Sequence, residues 1–375
     1  MIAIITYSNY PKGSAGAVRY ATFAHTYADL GYKVVVLQKL SDCDDGKIKV
    51  ENLYSSNRYS QYYLFGYRVV TSLKRLRREE NIDGVIIGAD VPAIHVITIK
   101  WWCRFNRIPC IFDATEWYSK EQFVNWRTSI PYWERELLNR FIIDNKSRVI
   151  AISSYLYDYF RSKGCKVTQI PIIYNQSAHD QLLARINSSG LLRIIYAGSH
   201  LKMDNIPLII EALSILSEEE RAKIRFVVYG LRKEQIENSV SRDVLDTVQD
   251  SLLIMGRRPN CEVLDAYSQV DFSIVLRDPS LRVNKAGFPS KVVESMRLGV
   301  PVICNYSSDL GDYLVHNNNS IIVESLNVVD LSRRLQELLQ MPQSDREEIG
   351  KMARQTISER LDSKRFEDKF RYIIS

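Results

Sequence analysis

At 375 residues, with 46% hydrophobic and 25% charged side chains, the chain has the composition of a soluble globular protein and the length for two domains with separate cores. The net charge of +6 is unevenly shared: residues 1–175 hold 24 Lys and Arg against 16 Asp and Glu, and the remainder 26 against 28, so the first half faces something anionic. Six scattered cysteines without a C-x-x-C pair exclude a disulfide framework and a zinc ribbon, and point to reduced thiols in a cytoplasm.

In chain order, residues 2–6 read as a buried strand, with too short an apolar run and no basic lead for a signal peptide. Pro11-Lys-Gly-Ser-Ala-Gly16 is a turn, residues 18–30 are helical up to Gly31, and 33–37 are a strand. This strand-loop-helix-strand opening is a parallel-sheet unit of nucleotide-binding type. Gly13 and Gly16 let a ligand approach the backbone at a helix N-terminus, although a tight turn explains both about as well, since the spacing is not G-x-G-x-x-G. Arg19, in the first turn of that helix, is either a cleft residue or a solvated one.

Strands at 84–88, 109–113, 148–152 and 167–172 then alternate with helices at 61–80, 93–105, 131–144 and 154–163, which makes a doubly wound sheet. The most apolar window, 85–102, contains Asp90, Pro92, His95 and Lys100 and reads as strand, turn and helix rather than a membrane span. The alternation breaks near Tyr174-Asn-Gln-Ser177, and residues 179–186 bridge to Asn187-Ser-Ser-Gly190, so the domain boundary falls here. A second series follows, with strands at 192–197, 224–229, 252–255, 272–276 and 320–323 and helices at 206–216, 233–240 and 262–269. Helices at 330–339, 345–358 and 362–374 close the chain. The last carries Phe366, Phe370, Ile373 and Ile374 at helical spacing and needs an apolar surface to cover.

The most informative stretch runs from Arg282 to Cys304. A flexible basic lead-in reaches Gly287, Pro289-Ser290 supplies a polar N-cap, a short helix ends at Gly299, and a mostly β-branched strand follows. Arg282, Lys285 and Lys291 lie within nine residues of Ser290. A helix N-terminus with these cations suits a bound phosphate or diphosphate, and Glu294, one turn inside, reaches a hydroxyl on its carrier. A surface helix with Val292, Val293 and Met296 in the core reads the same residues equally well.

Gly287-Phe-Pro-Ser-Lys-Val-Val-Glu-Ser-Met-Arg-Leu-Gly-Val-Pro-Val-Ile303 resembles the donor-binding segment of the GT-B glycosyltransferases, nearest the retaining family 4. The resemblance implies an α/β GT-B fold of two doubly wound Rossmann-like domains, residues 1–176 for acceptor and 177–358 for nucleotide sugar. It also implies an interdomain cleft and a C-terminal helix, 359–375, returning to the first domain. In that family two glutamates separated by seven residues bracket a Gly-Phe turn, the first on the donor sugar and the second on the ribose. Glu294 matches the second, and Ala286 stands where the first would be.

After strand 192–197 the family has Gly-Arg with a Lys five positions on, a pair that neutralises the donor diphosphate. Here the residues are Gly198 and Ser199, with Lys202 three positions after Ser199, so Lys202 and Lys291 are the expected clamp. Met255-Gly-Arg-Arg-Pro-Asn260 resembles the nucleobase-holding segment. Donor-binding residues are therefore expected at Gly16, Gly198, Ser199, Gly256, Arg257, Gly287, Phe288, Pro289, Ser290 and Glu294. Ile111-Phe-Asp-Ala-Thr-Glu-Trp-Tyr118 places Asp113 and Glu116 at a strand end where the family has His-Asp. Asp113, Glu116 and Trp117 are the expected acceptor contacts, with Glu116 orienting or deprotonating a hydroxyl and Trp117 stacking on a sugar. A capping carboxylate and two core aromatics are the plainer reading of that segment.

The function so implied is a metal-independent hexosyltransferase that moves a sugar from a nucleoside-diphosphate sugar to a hydroxyl of a lipid-linked saccharide, with retention, in surface polysaccharide biosynthesis. The donor is a substrate, and no cofactor is implied. Asp42-Cys-Asp44 has the letters of a metal site but lies in a polar loop. Two rivals stay open because of Ala286 and Ser199: a nucleotide-sugar epimerase on the same fold, and a non-catalytic nucleotide-sugar-binding or scaffold protein. Two basic-aromatic stretches, 62–78 and 100–107, suit peripheral contact with an anionic membrane at about 1 kcal/mol per well-placed cation, which places the protein at the cytoplasmic face of the plasma membrane. No nucleic-acid recognition motif accompanies the charge.

Overall fold

A computed structural model describes residues 1–11, 14–39, 46–53, 64–175 and 190–375. Lys12 and Gly13, the Asp42-Cys-Asp44 triplet, residues 61–63 and the boundary segment 176–189 lie outside the described residues. The chain folds as two units: Met1–Gln176 with Leu281–Phe288 and Leu361–Ser375, and Ser177–Ser280 with Pro289–Arg360. Among the described residues no helix is long and apolar enough to cross a membrane.

The first unit runs β1 (Ile2–Thr6), α1 (Ala15–Asp29), β2 (Val34–Gln38), β3 (Lys49–Asn52), α2 (Phe65–Glu79), β4 (Gly84–Ile87), α3 (Ala93–Phe105), β5 (Cys110–Ala114), α4 (Ile130–Leu137), β6 (Arg148–Ala151), α5 (Ser154–Ser162) and β7 (Lys166–Gln169). Among the described residues its sheet has seven strands, all parallel, in the order β3-β2-β1-β4-β5-β6-β7. β1 is buried along its whole length, as a strand covered by helices on both faces must be, and this is why it reads as an unbroken apolar run. The polar edge strand β3 gives no such signal, since it rests on backbone pairing to β2. α4 continues into a π-wound turn, Leu138–Ile142. The strand order reverses direction between β1 and β4, which makes their carboxyl ends a switch point where ligands bind in open α/β sheets.

The remaining elements are β8 (Leu192–Ala197), α6 (Ile206–Ser214), α7 (Glu218–Ala222), β9 (Ile224–Tyr229), α8 (Lys233–Glu237), α9 (Arg242–Val248), β10 (Leu252–Gly256), α10 (Asn260–Tyr267), β11 (Phe272–Val275), α11 (Arg282–Ala286), α12 (Ser290–Arg297), β12 (Val302–Cys304), β13 (Ser320–Ile322), α13 (Val328–Gln340), α14 (Gln343–Arg360) and α15 (Glu367–Ile374). The second unit's parallel sheet runs β10-β9-β8-β11-β12-β13, with its switch point between β8 and β11. Neighbouring residues of β8 serve different cores: Ile194 belongs to the one that holds Ile209, Leu213 and Leu335, and Ile195 to the one that holds Tyr267, Leu298 and Val300.

Two segments late in the sequence pack in the first unit. α15 buries Phe370 edge-on against Phe23 at 5.1 Å and Tyr27 at 5.0 Å, and Arg148 donates to the carbonyl of Ile373 at 2.8 Å. Burying that phenyl ring contributes roughly 2–3 kcal/mol. The lead-in expected to be flexible is instead the short helix α11, with Val283, Asn284 and Ala286 buried. Polar contacts hold it: the Val283 N–H donates to Ser119 Oγ at 2.9 Å, and Ser153 Oγ donates to the Ala286 carbonyl at 2.7 Å.

Candidate functional site

In the second unit, three neighbouring strands of the sheet end in glycines. Gly198 follows β8, Gly230 follows β9 and Gly256 ends β10. Their amides step from strand to strand: Gly198 N–H donates to Tyr229 O at 3.0 Å and Gly230 N–H to Gly256 O at 2.7 Å. Gly230 has φ +89°, and a Cβ there would come 2.5 Å from the Gly198 carbonyl oxygen. Lys291, the second residue of α12, lays its side chain over Gly198, so that a Cβ on Gly198 would overlap Lys291 Cε and Nζ.

The Lys291 ammonium is held by Asp204, which is fully buried in the turn before α6. Its Nζ lies 2.5 Å from Asp204 Oδ2. Asp204 Oδ1 accepts from Arg277 Nε at 2.9 Å, and Oδ2 also accepts from the Tyr196 hydroxyl at 2.8 Å. Arg277 lies just past β11, with its backbone clasped by Asn305, whose side chain accepts from Arg277 N–H at 2.8 Å and donates to Arg277 O at 2.7 Å. The carboxylate thus ties two cations together across the β8/β11 switch point. Burial works against the Asp204 charge, but Lys291 and Arg277 overcome it and hold the carboxyl below its ordinary range. Burial draws Lys291 below the ordinary lysine value, with Asp204 opposing. Side-chain exposures of 13% for Lys291 and 11% for Arg277, against 0% for Asp204, leave one net positive charge open to solvent at the strand ends.

The first unit places its polar groups at the β1/β4 switch point. Asp90 Oδ2 accepts from Ser8 N–H at 2.7 Å, Ser8 Oγ at 2.5 Å and Thr6 Oγ1 at 2.7 Å. Its Oδ1 is buried with no hydrogen-bond partner among the described residues. Gly16 stands close by, where a Cβ would meet Ser8 Oγ at 3.4 Å. Nearby, Arg19 and Asp113 form a buried two-point pair, Nε to Oδ2 at 2.9 Å and NH2 to Oδ1 at 2.8 Å. Arg19 spends its remaining donors on the carbonyls of Ile170 and Pro171. Trp117 is buried, donates to Glu136 Oε1 at 2.9 Å and is covered by the Arg282 guanidinium at 4.7 Å. Arg282 also bonds Glu136 and the Tyr118 carbonyl.

Residues 185–356 match the family Glycosyl transferases group 1. Solved structures agree in fold along the whole length. HepE of Anabaena in complex with UDP-glucose is 16% identical, with 99% of this chain and 98% of that one covered and a TM-score of 0.69. WaaG, a glycosyltransferase involved in lipopolysaccharide biosynthesis, is 15% identical over 99% of each chain, with a TM-score of 0.70. A sucrose-phosphate synthase from Thermosynechococcus elongatus is 14% identical, with 98% and 96% covered and a TM-score of 0.71. The fold is that of the GT-B glycosyltransferases. No curated protein sequence matches the chain.

Within the matched stretch, residues 185–356, the structure brings some of the expected residues together and not others. Lys291 meets Arg277 through Asp204, whereas the Lys202 side chain is exposed and makes no hydrogen bond or ion pair among the described residues. Ser199 and Arg257 are exposed beyond β8 and β10, and Gly256 has φ +68°. Ser290 is not the N-cap: it is already the first helical residue, Pro289 occupies the cap, and no side chain satisfies the helix's first amides. Glu294 is half-buried, one turn on, its carboxylate without a hydrogen-bond partner among the described residues. It borders Tyr267, whose hydroxyl pKa is pushed up by burial and by that carboxylate.

Gly287 and Phe288 pack in the first unit with Ala286, and Pro289 is buried in the second. Two acceptor expectations are corrected. Asp113 has both oxygens taken by Arg19, because a carboxylate on a fully buried strand end needs a counter-charge. Trp117 is buried between Glu136, Tyr159 and Arg282 rather than presenting a face to a sugar. Glu116 is exposed, as an acceptor contact requires. Burial and the nearby Glu116 push the Tyr118 hydroxyl up to about 12.

Asp204, Arg277 and Asp90 were missed from sequence. The signal available for Arg277 and Asp90 was a charged residue just past a strand at a switch point. Asp204 offered none, being a lone acid in a polar turn.

Proposed function

We propose that the protein transfers a sugar, with retention and without a metal, from a nucleoside-diphosphate sugar to a hydroxyl of a lipid-linked saccharide at the inner face of a membrane, in surface polysaccharide assembly. The observation that carries this reading is the pair of cations, Lys291 and Arg277, largely buried but still reached by solvent, held by buried Asp204 at the β8/β11 switch point. A diphosphate bound there meets fixed positive charge, together with the uncapped amides of α12. When the bond from the anomeric carbon to the phosphate oxygen breaks, its electron pair stays on the diphosphate. The charge that develops there is stabilised by groups already in place. The acceptor oxygen bonds the same face of the anomeric carbon and passes its proton to the departing phosphate oxygen, so no covalent enzyme intermediate is required.

Glu294, one turn from Lys291 and without a competing partner, takes the ribose hydroxyls. In the first unit Glu116, exposed, and Asp90, with an unpartnered oxygen, are the acceptor-side carboxylates. UDP is the nucleotide to test first, because HepE holds it. Calorimetric titration with UDP and GDP, repeated on Lys291→Ala, tests the site: binding that weakens sharply supports it, and no binding to either nucleotide returns the chain to a scaffold role. Donor turnover without acceptor would instead identify an epimerase, a reading favoured by Ala286 standing where the family's sugar-contacting glutamate would be.

A further inference from the structure

Two apolar stripes lie exposed on neighbouring helices of the first unit, apart from the polar groups of the candidate site, and the first overlaps the basic-aromatic stretch 100–107. On α3 the exposed large side chains are Ile94, Ile97, Trp101 and Phe105. Steps of three, four and four residues keep them on one helix face. The same spacing recurs along α4 and its π-wound turn, as Ile130, Trp133, Leu137 and Phe141. The helices touch, and Lys100 joins their ends: its ammonium donates to the Ile142 carbonyl and pairs with Asp144 at 2.9 Å. The Trp101–Phe105 end of one stripe therefore adjoins the Phe141 end of the other. Trp101 stacks on Phe105 at 5.7 Å, and Phe105 and Phe141 remain 78% and 73% exposed. Soluble monomers seldom leave such a patch in water.

Positive charge surrounds the patch. Arg104 and Arg107 are exposed beside the first stripe, and α2, packed on α3, turns Lys74, Arg77 and Arg78 outward. Two acids near the stripes are already paired, Glu136 with Arg140 and Asp144 with Lys100. We propose that the double stripe is a membrane-docking face that sits at the headgroup–acyl boundary of an anionic bilayer. Trp101, Phe105 and Phe141 are the inserted side chains, and the arginines meet lipid phosphates. A second copy of the chain is the poorer occupant, because self-association would set the same cations against each other. The basic helix α2 contributes charge only, since Val69, Val70, Leu73 and Leu76 are buried, and Trp102 faces the core.

This deepens the membrane-borne acceptor reading. Vesicle binding needs neither donor nor acceptor, so it can fail while nucleotide binding succeeds, or the reverse.

The test is co-sedimentation of the purified 375-residue chain with phosphatidylcholine vesicles, with and without phosphatidylglycerol. The protein should partition onto the anionic vesicles, lose binding as salt rises, and fall by about tenfold or more in Phe105→Ser/Phe141→Ser. The variant's thermal unfolding should match wild type, since both rings are mostly solvent-exposed. The inference is overturned if wild type ignores anionic vesicles, if the folded variant binds them as well as wild type, or if sedimentation shows a dimer that the variant dissolves.

Discussion

Asp204→Asn removes the carboxylate between two cations while keeping the side chain's shape. At 2.5 Å from Lys291 Nζ and 2.9 Å from Arg277 Nε, an effective dielectric constant near 20 gives roughly 6 kcal/mol of attraction for each contact. Desolvating three charges offsets most of that, and breaking a buried ion pair costs about 3–5 kcal/mol. The lower end applies, about 3 kcal/mol, because the Asn oxygen still accepts one hydrogen bond and solvent reaches Lys291 and Arg277 at 13% and 11% exposure. For a unit of this size each kcal/mol moves the midpoint by about 2–4 °C, so the second unit's transition should fall by about 6–12 °C.

The assay is scanning calorimetry of the full chain between about pH 5 and 8, above the ordinary Asp value of about 3.9. Burial raises the Asp204 pKa, and Lys291 and Arg277 more than reverse the shift, so the folded value lies below the unfolded one. Such an acid contributes stability that is fully present above the unfolded value and lost as pH falls through the folded value. The gap between wild type and variant should therefore stay level across neutral pH and close only in strong acid. Equal midpoints at neutral pH would refute the assignment of Asp204 as the hub of this cluster.

Lys291→Ala should weaken UDP binding about 30-fold, roughly 2 kcal/mol, by calorimetric titration, while Lys202→Ala changes it less than about threefold. Equal losses would restore Lys202 to the clamp. Gly198→Ala places a methyl group on Lys291 Cε and Nζ, so UDP affinity should drop while the first unit's transition stays where it is. Arg19→Met strands the Asp113 charge and should cost the first unit about 3–5 kcal/mol in denaturant unfolding, with much of it recovered in Arg19→Met/Asp113→Asn. Full activity at permissive temperature in the double variant would exclude Asp113 as an acceptor ligand.

The alternation of strands and helices was legible because parallel strands buried on both faces appear as apolar runs, such as Val34–Gln38 and Phe272–Val275, between amphipathic helices. The helix and strand that follow Pro289 were legible for the same reason, and Gly198 and Lys291 could be singled out by resemblance. Local pattern misled where a tertiary partner decided the outcome. Arg282 looked like a phosphate-binding cation in a loose lead-in, yet α11 forms because Ser119 and Ser153 bond its backbone and Glu136 takes its arginine. Trp117 looked like a sugar platform and became core once its indole N–H found Glu136.

By itself the amino-acid order determined two parallel α/β units and the places where their strands end, because burial periodicity is a property of neighbours along the chain. Which charges meet was decided only in three dimensions. Asp204 is 87 residues from Lys291 and 73 from Arg277, and Arg19 is 94 from Asp113. Coulomb attraction and desolvation depend on distance through space and on burial, and neither is written in sequence spacing.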